Sequence, residues 1–388
     1  MTTTNTYVWV YYSCIAVCAV CALIINIYKP QYSLVDATSG TKSKRPSIVY
    51  VTTFIMIGYI VFWAAIRNGV VDTAGYIKSY IELDTEINWK TLFESGEEKA
   101  PLFELFQIFL KRIGFTWHMY IATVAIISGI CFFYGISKFS DDVVLSCYLF
   151  ITGTYFYWLF NGIRQFLVVA IVFACMRLIV EKKLWKFLIL IFVLYFIHKT
   201  AWILIPIYFI ANMKNWSYGI YVCVLATMAV VILFPNQFTA LLGESFTEYN
   251  VVEDFAKDDG VSILRFLVAM VTPTLSFIYK KRIAEYDNKY INVFVNMSLI
   301  TGGLYAVGVV TSGIYMGRLP IYTDVFNLLL LPFIIKCVVP KNAKGPIFAA
   351  CIILYFVHFH LLVQESFVYT TDLFGGVMDR NDYIPYLH

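Results

Sequence analysis

Long apolar runs, separated by short polar segments, recur from one end of the chain to the other. About 20 apolar residues carry a helix across a bilayer, and within lipid every backbone N–H and C=O must be paired inside the segment itself. On that basis transmembrane helices are expected at 7–28, 48–66, 118–137, 143–160, 165–180, 184–198, 201–213, 216–235, 262–279, 291–310, 320–336 and 346–363. The run 201–213 is too short to cross alone. A further stretch, 101–110, alternates apolar and polar residues with helical spacing, as expected of a segment that lies on the membrane or dips into it. The pattern thus predicts an all-α polytopic membrane protein with about twelve transmembrane helices in one domain.

Composition agrees. Of the 388 residues, 60% are apolar and 14% charged, against about 45–50% and about 25% in soluble domains. No soluble core hides such a surplus, and disorder, a coiled coil or a secreted disulfide scaffold are excluded as well. Charge supplies the orientation. If the spans alternate sides, one side collects 17 basic and 6 acidic residues, among them Lys29, Lys42, Lys44, Arg45, Arg177, Lys280, Lys281, Arg282, Lys336, Lys341 and Lys344. The other side collects 12 basic and 19 acidic residues. Basic loops stay in the cytoplasm. Both termini and the two long acidic loops, about 67–117 and 236–261, are therefore expected to be extracytoplasmic. Residues 1–6 carry no basic segment, so the first run reads as a span and not as a cleavable signal.

The nine cysteines all lie in apolar runs, and Cys18 and Cys21 have no histidine or acid nearby. They read as small packing residues. No H-E-x-x-H, G-x-S-x-G or phosphate-binding loop of the Walker type occurs, and no basic stripe interleaved with stacking residues suggests nucleic acid. What stands out is four arginines on the wrong side. Arg67, Arg164, Arg265 and Arg318 all map to outer ends of spans. Arg164 follows Asn161 and Gly162, Arg265 follows Ser262, and Arg318 precedes Pro320, all of them helix-start signals. A guanidinium beside a helix N-terminus is an anion-binding arrangement, and its planar fork suits phosphate. One outer arginine can snorkel to lipid headgroups or pair with a loop acid; four sites against the bias call for a common cause, such as a doubly phosphorylated lipid. Asp72 and His198 map to the same surface. Asp72 is a candidate general base, held by an arginine or simply solvated. His198 is a candidate base or phosphate contact. His358 and His360 are two residues apart and cannot share a helix face as a metal pair.

At these residues the chain resembles the EpsG family of bacterial exopolysaccharide and O-antigen polymerases, the Wzy class. The resemblance lies in Arg67…Asp72-Thr73-Ala74-Gly75-Tyr76, Pro101-Leu102-Phe103, Asn161-Gly162-Ile163-Arg164-Gln165, Phe196-Ile197-His198-Lys199-Thr200-Ala201 and Arg318-Leu319-Pro320-Ile321-Tyr322…Leu331-Pro332. It is continuous over roughly 60–212 and returns near 318–332. Ala100 stands where the family often has glutamate and Val71 where it often has glycine, so no acid role transfers to position 100.

The resemblance implies an enzyme of the bacterial cytoplasmic membrane. It would join undecaprenyl-pyrophosphate-linked oligosaccharide repeats at the outer face, with the pyrophosphate leaving group supplying the energy and no nucleotide or other cofactor needed. Asp72 and His198 become the catalytic candidates. Arg67, Arg164, Gln165, Arg265, Arg318 and Tyr322 become the pyrophosphate- or sugar-binding candidates. Guanidinium groups would take the place of a divalent metal, and a chain-length-regulating co-polymerase is an implied partner. Two other classes compete: a ligase-like transferase using the same lipid donor, and a flippase of lipid-linked oligosaccharide. A flippase needs a charged cavity reachable from both faces; here only Arg177 and Asp324 come near to charge in mid-membrane.

Overall fold

The computed structural model describes residues 7–30, 32–33, 45–70, 72–87, 100–153, 155–233, 260–311, 317–366 and 369–374. Most of the acidic residues assigned above to the outer loops, and Lys42 and Lys44, lie outside the described residues.

Among the described residues, six helical runs are long and apolar enough to cross a membrane: Trp9–Tyr28, Ser47–Ala65, Trp117–Phe139, Lys289–Val310, Ile321–Val338 and Lys341–Gln364. Shorter apolar helices accompany them, at Val143–Thr152, Ile163–Ala174, Leu184–Tyr195, Lys199–Ala211, Tyr218–Val230 and Ile263–Ile278. The architecture is that of an all-α membrane protein. Polar residues start several of these helices: Thr116, Asp142, Asn288 and Ser262 each accept a hydrogen bond from a first-turn N–H.

Burial orders the bundle. In Ile321–Val338 89% of the residues are buried, whereas in the most apolar stretches of Trp9–Tyr28 and Lys341–Gln364 only 28% are. Glycine lets neighbouring helices close in. A Cβ at Gly129 would stand 2.2 Å from Val61, and one at Gly135 would stand 2.3 Å from the Phe173 ring. Small residues at helix crossings serve this purpose in lipid, where close packing and not water expulsion drives association.

Several expected spans are broken. The span expected at 143–160 divides at Gly153 into Val143–Thr152 and Tyr155–Phe160. The one at 165–180 divides into Ile163–Ala174 and Arg177–Val180. The central one runs as Ile321–Asp324, Asn327–Phe333 and a π-helical turn Ile334–Val338. Pro332 has no N–H to bond the preceding turn, which accounts for part of that irregularity. The short run is a compound of a 3₁₀ stretch, Lys199–Ile203, and the helix Leu204–Ala211. The amphipathic stretch is the helix Pro101–Arg112. Phe103 and Leu110 pack it, together with Tyr80 of the helix Thr73–Glu82, against Tyr120, Ile163 and Leu167.

Residues assigned to opposite sides gather at opposite ends. At one end Lys336 donates to Tyr32 O at 3.3 Å, Arg45 donates to Ser140 O at 2.6 Å, and Arg177 pairs with Glu181 at 3.2 Å. Arg177 opens the short helix Arg177–Val180. At the other end a two-stranded antiparallel sheet, unforeseen in the pattern, pairs Arg67–Gly69 with Thr370–Thr371.

Candidate active site at one end of the bundle

The site forms where helix ends meet at the same end as that small sheet. Asp72 is the N-cap of the helix Thr73–Glu82, yet its side chain makes no capping hydrogen bond. The helix N-terminus nonetheless favours its negative charge. Its backbone N–H reaches Asn161 Oδ1 at 3.4 Å. Asn161 therefore does not cap the next helix as its position suggested. Gly162 is that N-cap, with no side-chain bond, and Asn161 instead ties Asp72 to Tyr157, to which it is also hydrogen-bonded.

Tyr157 was not foreseen. On the otherwise buried helix Tyr155–Phe160 it is the one partly exposed side chain. The charges of Asp72, Arg265 and Arg318 all act on its hydroxyl. This places the acid and two of the four arginines around one phenol.

Arg164, on the first turn of Ile163–Ala174, lies with its guanidinium carbon 6.0 Å from the centre of the Tyr76 ring. Arg265 follows its cap as expected: Ser262 Oγ accepts from the Arg265 N–H at 3.3 Å. Its guanidinium donates to Gly317 O at 3.2 Å and lies 5.9 Å from the Trp158 ring centre and 5.3 Å from that of Tyr305. The next carbonyl, Arg318 O, accepts from Gln165 Nε2 at 3.1 Å. Arg265 and Gln165 thus hold two successive carbonyls of the segment that presents Arg318.

His198 lies in the turn between Leu184–Tyr195 and the 3₁₀ stretch. Its Nδ1 is 2.7 Å from Thr200 Oγ1, which is 2.7 Å from the Tyr322 hydroxyl. Tyr322 is hydrogen-bonded in turn to Gln165. A continuous chain therefore runs from His198 through Thr200, Tyr322 and Gln165 to the Arg318 backbone. Withdrawal from water, then the charges of Arg164 and Arg318, push the imidazole pKa well below its ordinary value of about 6.5. Both effects favour the neutral ring. The charges of Arg164 and Arg318 both act on His198, and that of Arg318 also acts on Tyr157, so Arg318 links the two halves of the site electrostatically.

Three of the expected ligand-binding residues are buried. Arg67 is 1% exposed, and its guanidinium donates to Thr73 Oγ1 at 3.0 Å and to Ala64 O, with Phe160 beneath it. Thr73 Oγ1 donates onward to Phe160 O at 3.0 Å. Gln165 and Tyr322 are 3% and 1% exposed. All three are hydrogen-bonded to residues of the same cluster. So is Thr200, missed in the sequence. Among the described residues no three His, Cys, Asp or Glu side chains gather as a metal-holding group. The cysteines are unbridged, and Cys14, Cys18 and Cys21 are buried in the core as packing residues. His358 and His360 point to different partners, Thr152 O at 3.2 Å and the Tyr12 hydroxyl at 2.8 Å.

No curated protein and no solved structure matches the chain. The model of the EpsG family matches residues 50–374, which takes in every element of this site. The chain belongs to the EpsG family.

Proposed function

We propose that the protein is a polysaccharide polymerase. It joins undecaprenyl-pyrophosphate-linked oligosaccharide repeats at the outer face of the bacterial cytoplasmic membrane, with twelve crossings and both termini outside. Family membership supports a polymerase-like glycosyltransferase. The observation that carries the reading is the convergence of Arg164, Arg265 and Arg318 with Asp72 and His198 at one end of the bundle.

In this reading the acceptor is the non-reducing hydroxyl of an incoming lipid-linked repeat. Its oxygen attacks the anomeric carbon of the growing chain while the bond from that carbon to the pyrophosphate oxygen breaks. The acceptor proton passes to Asp72. Undecaprenyl pyrophosphate leaves with its new charge against Arg164, Arg265 and Arg318, preorganised donors where negative charge develops. His198 resists protonation, which makes it a poor base and a suitable neutral N–H donor to the phosphates. A direct displacement with one base inverts the anomeric centre.

Cells carrying Arg164→Ala or Arg318→Ala should lose long polymer and keep single-repeat material, because making and flipping the repeat lie upstream. Arg→Lys should also be poor at either position, since an ammonium lacks the planar fork. Full-length polymer from both Ala variants at normal expression would remove the clamp.

A further inference from the structure

Arg265 also borders a cavity that the proposed chemistry does not use. Its other polar walls are Tyr155, Tyr305, Asp324, Tyr355 and His358. Asp324 is a carboxylate inside the most enclosed run of the bundle. It accepts hydrogen bonds at Oδ1 from Tyr155 at 2.9 Å and Asn327 at 2.8 Å, and at Oδ2 from Tyr305 at 3.3 Å. The Arg265 guanidinium lies 5.3 Å from the centre of the Tyr305 ring, and its charge acts on both the Tyr305 hydroxyl and Asp324. The two charges are coupled through one phenol and not by a direct ion pair. His358, 2% exposed, lines the same cavity and carries a ring nitrogen without a hydrogen-bond partner.

A buried carboxylate is costly unless an opposite charge and full hydrogen bonding meet it, and acids inside membrane spans face function for that reason. Asp324 has three donors and one guanidinium. Arg265 has Gly317 O on one side and Tyr305 on the other, with two rings against its faces. We propose that Asp324, acting through Tyr305, is a positioning residue that fixes the guanidinium of Arg265 for the pyrophosphate leaving group. This rests on the clamp proposed above.

Two electrostatic roles predict opposite signs, which makes the test decisive. If Asp324 only neutralised positive charge, Asp324→Asn would tighten anion binding. If it positions Arg265, the carboxamide oxygen cannot serve three donors, the tether loosens, and binding weakens. Purified protein in lipid nanodiscs is titrated with undecaprenyl pyrophosphate. Tyr305→Phe, which keeps the ring and its packing, is measured alongside in case Asp324→Asn folds poorly. Each variant should bind about 3- to 10-fold more weakly, the worth of about one hydrogen bond. Added to Arg265→Ala, neither should cause a further loss, because the group they position is gone. Tighter or unchanged binding in folded Asp324→Asn and Tyr305→Phe, or full additivity with Arg265→Ala, overturns the proposal. If Arg265→Ala leaves affinity unchanged while Arg318→Ala weakens it, the positioning role falls and the clamp stands. If neither arginine matters, the clamp falls first.

Discussion

Thr200→Val removes one oxygen and keeps the shape of the side chain, so it isolates the hydrogen-bonded chain behind His198. Two contacts of 2.7 Å end on that oxygen, one to His198 Nδ1 and one to the Tyr322 hydroxyl, and Thr200 is 1% exposed. A net hydrogen bond contributes about 0.5–1.5 kcal/mol, and a buried group left unsatisfied costs about 1–3 kcal/mol. Tyr322 keeps its bond to Gln165, so the phenol is not wholly orphaned. The stability loss should therefore be about 1–3 kcal/mol. The functional loss is separate: the imidazole loses the group that orients it, and undecaprenyl pyrophosphate should bind about 3- to 10-fold more weakly. Thr200→Ser restores the oxygen without the methyl group and should recover affinity even where it does not fully recover stability. Thermal unfolding and nanodisc titration on the same preparations separate the two. Unchanged affinity in Thr200→Val, or no recovery in Thr200→Ser, would refute the claim that this chain positions His198.

Single cysteines placed in the loops 67–117 and 236–261 should react with an impermeant thiol reagent in intact cells once native thiols are removed. Labelling at 42–45 instead, with both loops protected, would invert the orientation. His198 supplies a pH test of stability: its native pKa is lowered, so below about pH 6.5 the unfolded chain takes up a proton that the native state refuses. Stability should fall with acidification by at most about 1.4 kcal/mol per pH unit, and His198→Gln should flatten that fall between pH 6.5 and 5. A slope identical in both proteins would contradict the lowered pKa.

Helix positions and the two-ended distribution of charge were legible because lipid imposes length and the cytoplasm attracts lysine and arginine. The breaks at Gly153 and within 320–336 were not, because a helix apolar on all sides carries no stripe whose loss would mark an interruption. Their expected placement at one face singled out Arg164, Arg265, Arg318, Asp72 and His198. It did not separate Arg67, which occupies the same end but is buried on Thr73 and Ala64 by a strand pairing with residues some 300 positions later. Asn161 shows the limit of local rules: as a good N-cap residue beside a helix start it should cap, and instead it tethers Asp72 across 89 residues of sequence. Tyr157 had no signal of its own among 29 tyrosines and 33 phenylalanines. Only the burial of the other residues on its short helix sets it apart. Thr200 looked like ordinary turn chemistry, and its role arises from Tyr322, 122 residues away.

The most direct measurement is turnover by purified protein given a single lipid-linked repeat, with free undecaprenyl pyrophosphate and chain length both followed. The wild type should build polymer and release one carrier for each bond formed. Asp72→Asn should still bind undecaprenyl pyrophosphate but form no bond, while His198→Gln should bind it more weakly and keep some turnover. A dead His198→Gln that binds normally beside an active Asp72→Asn would move the base to His198; a wild type that only moves the intact donor across the bilayer, releasing no carrier, would contradict the polymerase itself.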